Sequence, residues 1–197
     1  MDKCLSKIYS EDFKKDIVLN LEEQRETISR FLGYKNREIP VIIEKKIQEE
    51  INTVYSLIDI DFDYIIEDRR AFLIYTVGDK IQDKINQYTK ESEAIRGLIL
   101  DKIAIVILDE INSQLIKVIE RQTGLFAVKE NYPGSSSYPL SKQKEIYEKM
   151  KNIKSIAIGD SFQLYPIKSV ALEIELGRKT EKYSRCEECS GCDFKEV

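Results

Sequence analysis

One segment, residues 91–122, limits what this chain can fold into more than any other. Its charges at Asp101 and Lys102 recur at Asp109 and Glu110, roughly two helical turns later, and apolar side chains fill most of the remainder. A helix so nearly surrounded by Ile, Leu and Val belongs at the buried centre of a domain. Gly124 is its expected stop. The longest unbroken apolar run, six residues from 103 to 108, lies inside this segment and falls well short of a membrane span. A chain of 197 residues suits one domain with a respectable core.

The other elements read in order around that helix. Residues 10–32 are charged, with Ile17, Leu21, Ile28, Phe31 and Leu32 at helical intervals and Gly33 where a helix would stop. A second helical pattern follows Pro40 through Val41, Ile42, Ile47, Ile51 and Val54. Residues 62–66 and 72–77 read as strands, and a charged amphipathic helix over about 79–90 follows Gly78. Residues 125–128 predict a short strand, and 131–139 are rich in turn formers. Ser141 is placed to cap a helix over 142–151, before strands at 153–158, 162–165 and 169–176. Helices interleaved with strand pairs favour an α+β fold, a mixed or antiparallel twisted sheet with a long buried helix and packed helices, over a doubly wound sheet. The expected division is an N-terminal helical segment (1–27), an α+β domain (28–179) and a polar, cysteine-bearing C-terminal tail (180–197).

Two absences narrow the chemistry. The chain has no histidine, which removes Ser-His-Asp and Cys-His pairs and any histidine ligand to cobalt or haem iron. Its 35 acidic residues outnumber 31 basic ones, and the basic residues are scattered among acids, so a nucleic-acid partner is disfavoured. The first seven residues, Met1 to Lys7, lack the apolar core of a signal peptide, which makes a cytoplasmic location without a membrane partner the expectation.

The four cysteines are unevenly placed: Cys4 stands alone, while Cys186, Cys189 and Cys192 fall within the last 12 residues. A disulfide framework would spread its cysteines through the fold. The Cys-x-x-Cys-x-x-Cys run matches the first three ligand positions of a ferredoxin-like iron–sulfur site, with Cys4 or Asp193 available as a fourth. Zinc held by three thiolates and another ligand satisfies the same spacing, as does a tail of reduced thiols. The spacing is not the Cys-x-x-x-Cys-x-x-Cys of radical adenosylmethionine enzymes.

The ordered set Pro133-Gly134, Tyr138-Pro139-Leu140-Ser141 with Gln143, Asp160-Ser161, and Tyr165-Pro166-Ile167-Lys168-Ser169-Val170 resembles the activation domain of cobalamin-dependent methionine synthase. The chain is more closely similar to small free-standing relatives of that domain, in Phe31-Leu32-Gly33-Tyr34, a helix-rich first half and a cysteine-bearing end. The resemblance covers roughly residues 28–192. It implies a domain that binds S-adenosylmethionine and docks on a cobalamin domain, so that inactive cob(II)alamin is reduced and remethylated. By that implication the chain is an accessory to a corrinoid methyltransferase system; no catalytic residue is singled out, and its own share in the methionine synthase (methyltransferase) reaction stays open. The cobalamin would sit on a partner, a corrinoid-binding protein or a methionine synthase core, with an electron-donor protein as a further partner. The chain itself carries no Asp-x-His-x-x-Gly cobalamin signature.

The resemblance places a ligand site at the loop positions Glu130, Pro133, Gly134 and Ser135. Tyr138 and Tyr165 are candidates to stack on an adenine or a corrin edge, and Asp109, on one helix face with Asp101, would accept from a ligand amine or ribose hydroxyl if that face borders the loop. The family's loop reads Arg-x-x-Pro-Gly-Tyr, and here Glu130 holds the arginine position and Ser135 the tyrosine position. Glu130 would repel the ligand's carboxylate, yet suits its ammonium or sulfonium. Each residue also has a plainer role: Gly134 in a tight turn, Ser135 as a solvated loop serine, Tyr138 and Tyr165 in rim packing, Asp101 and Asp109 as the charged edge of a buried helix. Two other functions remain open on the same residues. One is a corrinoid-protein docking module without S-adenosylmethionine; the other is an electron-transfer adaptor centred on the C-terminal cysteines.

Overall fold

The computed structural model describes residues 17–35 and 37–178, together with the backbone of residues 8–9. In chain order the elements are β1 (Ile8–Tyr9), α1 (Arg25–Phe31), α2 (Val41–Val54), β2 (Asp61–Glu67), β3 (Arg70–Thr76), α3 (Lys80–Lys90), α4 (Ala94–Thr123), β4 (Phe126–Asn131), α5 (Lys142–Lys149), β5 (Ala157–Ile158), β6 (Leu164–Tyr165) and β7 (Ser169–Gly177). Five strands form one antiparallel sheet in the order β1-β2-β3-β7-β4, and β5 pairs with β6 in a small separate hairpin. The fold is α+β, as the order of helical and strand patterns predicts.

Helix α4 is the buried centre that its sequence demands. Its 30 residues include Ile99, Leu100, Ile103, Ala104, Val106, Ile107, Ile111 and Leu115, all removed from solvent. They meet Ile28 of α1, Ile51 of α2, Ile81 of α3 and the inward side chains of the sheet. Ala71, Leu73 and Tyr75 of β3 join this larger core, while Phe72 and Ile74 point to the opposite face. There they meet Ile146 of α5, Ile156, and Leu164 of β6. Strand β3 is therefore covered on both sides, which explains why its sequence is apolar at nearly every position. Among the described residues no helix is long and apolar enough to cross a membrane.

Several expected elements are shorter or different; the strand expected over 162–165 begins only at Leu164, because Phe162 takes φ +64° in the turn before it. Of the helical pattern over 10–32, only Arg25–Phe31 is helix among the described residues; Ile17 and Leu21 reach the core from non-helical chain. Leu21 and Ile28 thus share one core across the expected boundary at residue 27. The strand expected over 153–158 contracts to Ala157–Ile158. Its preceding amides are taken elsewhere: Asp61 accepts from Lys154 N at 2.8 Å, Ser155 N at 2.9 Å and Ser155 Oγ at 2.9 Å. Asp63, two residues along β2, accepts in the same way from Lys151 N at 2.8 Å and Asn152 N at 2.9 Å. Two buried carboxylates thereby bind the loop after α5 to the sheet, and no β-ladder competes for those amides. Ser141 does stand at the N-cap of α5, but in a helical conformation with no side-chain capping bond.

Candidate functional site

The expected ligand loop begins at β4, which runs to Asn131 and so includes Glu130 in the strand. The pairing of β4 with β7 slips by one residue between Ala127↔Leu176 and Lys129↔Glu175, leaving Val128 as a bulge. Simple alternation from Ala127 would turn Glu130 away from the helices. The bulge reverses that parity, so Glu130 lies opposite Ile174, a residue of the helix-facing core. Its side chain is 5% exposed. Asn112 Nδ2 of α4 donates to Glu130 Oε2 at 3.0 Å, and the Tyr132 hydroxyl donates a short hydrogen bond to the same oxygen. Asn112 Nδ2 also lies 3.4 Å from the Tyr132 hydroxyl, while Asn112 Oδ1 is buried without a hydrogen-bond partner. The cluster is rich in acceptors. It suits an ammonium or a hydroxyl donor and opposes a carboxylate.

Downstream, Pro133 and Gly134 turn the chain into a tight loop. Gly134 has φ +93°, a conformation that glycine adopts without strain. A Cβ there would find only Leu140 Cδ1, at 3.6 Å, so the requirement is conformational and not steric. The Gly134 amide donates to Tyr138 O at 2.8 Å, the Ser135 amide to Tyr132 O at 3.1 Å, and the Tyr138 amide to Ser135 O at 3.1 Å. The amides of Gly134 and Ser135 are thus engaged within the turn, so the turn-forming role of Gly134 is the one its geometry displays. Ser135 is exposed.

Tyr138 folds back over the sheet's second face. Its hydroxyl donates to Glu173 Oε2 of β7 at 2.6 Å. Burial first, then the hydrogen bond and negative charge of Glu173, push the Tyr138 phenol well above its ordinary range. Arg70 Nη1 sits 3.9 Å from Glu173 on its other oxygen. Glu130 and Tyr138 are close in sequence yet serve opposite faces of the sheet, since Glu173 and Ile174 are neighbours on β7.

Asp109 is half-buried on α4, one turn before Asn112, which contacts Glu130. Asp101 lies two turns earlier and is ion-paired to Lys168, in the segment between β6 and β7, and to Lys102 at 3.3 Å. Burial raises the Asp101 carboxyl, but the hydrogen bonds and charges of Lys168 and Lys102 outweigh it and hold the group below the usual carboxylate range. Tyr165 is 51% exposed on β6. Cys4, Cys186, Cys189 and Cys192 lie outside the described residues; among the described residues no group of three or more His, Cys, Asp or Glu is placed to hold a metal.

Asn112 and Tyr132, which meet Glu130 on one face of the sheet, and Glu173, which meets Tyr138 on the other, escape a reading of the sequence alone. Asn112 offers one faint signal, as a polar residue beside Ile111 and one turn from the apolar Leu108 and Leu115. Glu173 offers another, as a charged residue between Leu172 and Ile174.

No family model matches the chain, and no curated protein matches it in sequence. Among solved structures, the fold is similar to that of the MetH reactivation domain bound to AdoHcy, with a TM-score of 0.62 and 7% sequence identity. The match covers 91% of this chain and 80% of that one.

Proposed function

We propose that the chain is an accessory protein for reductive reactivation and remethylation of a corrinoid-dependent methyltransferase. On this reading it docks on a cobalamin-bearing partner, a corrinoid protein or a methionine synthase core, and holds S-adenosylmethionine beside the end of β4 and the Pro133–Tyr138 turn. The observation that carries the reading is the likeness of fold, over nearly the whole chain, to a reactivation domain bound to AdoHcy. The ordered residues Pro133-Gly134, Tyr138 to Ser141 and Tyr165 to Val170 add support from the sequence.

Here the methyl donor would be held differently from the arginine-bearing pattern. Glu130 and the orphaned Asn112 Oδ1 offer acceptors, so they would meet the ligand's ammonium or a ribose hydroxyl, with Asp109 on the same helix as a further acceptor. The protein supplies position and electrostatics; the methyl donor and the partner's cobalt supply the chemistry.

A docking module without S-adenosylmethionine is the second reading. It is favoured by the engagement of Glu130 with Asn112 and Tyr132, and by the Gly134 and Ser135 amides closing their own turn. Calorimetric titration with S-adenosylmethionine and AdoHcy separates the two. Micromolar one-to-one binding, lost in Gly134→Val, supports the first. No heat and no thermal shift at millimolar ligand refutes it, and capture of a corrinoid protein by the ligand-free chain then supports the second.

A further inference from the structure

We propose that the cleft between α1 and the start of α2 is a second small-molecule site, built for an α-amino acid or a similar zwitterion whose carboxylate rests on Arg30. The cleft holds about 520 Å³, an ordinary volume for a small-ligand site, and shares no residue with the region around Glu130 and Gly134. Its shape follows from the end of α1. Gly33, at φ +89°, donates its amide to Arg30 O at 3.0 Å, and Tyr34 donates its amide to Ser29 O at 3.0 Å. This pair of bonds reverses the chain and brings Tyr34 back beside the last turn of the helix. Ile39 and the buried Ile47 supply an apolar wall.

The charges are arranged by depth. Arg30 Nε is buried and has no hydrogen-bond partner, whereas Arg25, also on the cleft, already has Glu22 at 2.9 Å. A guanidinium N–H withdrawn from water and left unmade is costly, and a carboxylate is the planar acceptor that fits its fork. Glu26 and Glu44 line the same cleft and are exposed. Lys35 also lines the cleft, so its cations outnumber its carboxylates and favour an anionic head, while Glu26 and Glu44 at the mouth accept from an ammonium. An anionic head placed deep, a cationic group near the rim and an apolar side chain against Ile39 and Ile47 together describe a zwitterionic amino acid.

The test is a titration of the full chain followed through the amide signals of Ser29, Arg30, Tyr34 and Ile47 by two-dimensional NMR. The probes are L-leucine as the zwitterion, acetate as the carboxylate alone, and inorganic phosphate as the dianion. Saturable shifts with L-leucine, and weaker ones with acetate and with phosphate, which lack the ammonium and the apolar side chain, are expected at concentrations up to about 10 mM. Arg30→Met should weaken L-leucine binding roughly tenfold or more without lowering the melting temperature, because Arg30 Nε has no partner to lose. Glu44→Gln, at an exposed position, should weaken L-leucine but not acetate, and it serves if the Arg30 variant fails to fold. No saturable shift with L-leucine, tighter binding of phosphate, or undiminished binding in either variant would overturn the assignment.

Discussion

Tyr88 provides the sharpest quantitative test of how the helical layer is held together. Glu50 of α2 is fully buried, and its carboxylate accepts from the Tyr88 hydroxyl of α3 at 3.0 and 3.1 Å and from Arg96 Nε of α4 at 2.5 Å. Arg96 and Lys84 also stand over the Tyr88 ring, 4.7 and 4.6 Å from its centroid. Burial, followed by the hydrogen bond to Glu50 and the charge on Glu50, pushes the phenol from 10.0 up to about 12, against a smaller opposing pull from Arg96. Each tenfold change in acidity is worth about 1.4 kcal/mol, so this rise corresponds to roughly 3 kcal/mol. The folded chain keeps the proton after the unfolded chain has released it. The contribution is therefore complete below about pH 10 and is lost as pH climbs through about 12.

Tyr88→Phe removes the phenol and with it the titration. At about pH 8 the variant should be less stable by about 1.5–3 kcal/mol, the worth of a hydrogen bond to a charged group. That gap should close towards zero as the pH is raised to about 12. Urea unfolding of both chains, followed by circular dichroism at each pH, measures the gap directly. The ten other tyrosines and the lysines titrate in both proteins, so they cancel in the difference. A gap that stays constant from about pH 8 to pH 12 would refute the coupling of Tyr88 to Glu50.

Four further outcomes follow from other parts of the molecule. Asp61→Ala removes the acceptor of three hydrogen bonds from Lys154 and Ser155 and should lower unfolding free energy by about 3 kcal/mol, measured by urea denaturation; a loss below about 1 kcal/mol would contradict a fastening role. Gly134→Val forces a branched side chain to positive φ and should cost about 1–3 kcal/mol in the same assay. Asp101 has its carboxyl held low by Lys168 and Lys102, so its stabilising effect is present at neutral pH and is lost as pH falls through the folded-state value; Lys168→Met should flatten that acid limb, by about 1 kcal/mol for a half-buried pair in which Lys102 still faces the carboxylate. A metal at Cys186, Cys189 and Cys192 predicts stoichiometric zinc, or iron with acid-labile sulfide, in anaerobically prepared protein and its loss in Cys189→Ser; absence of all three ends that role.

The sequence by itself determined the elements whose signal is local. The 3.6-residue apolar period of α4, the pattern after Pro40 in α2, and the stops at Gly33 and Gly124 depend only on neighbouring residues, and each stands where the pattern places it. The α+β class follows from their order. Tertiary structure decided what depends on pairing across the chain. Glu50 lies beside Glu49 on α2 with nothing local to set it apart, and only the approach of Tyr88 and Arg96 from α3 and α4 permits its burial. Asp61 and Asp63 alternate with Phe62 at the start of a strand, and only the loop at 151–155, by presenting its amides to them, gives their carboxylates buried partners. Glu130 is the plainest case. One unpaired residue, Val128, turns it from the outer face of an edge strand to the inner one, against Asn112 and Tyr132. A bulge is set by the register of β4 on β7, two strands separated by more than thirty residues of chain, and a strand's own alternation carries no record of it.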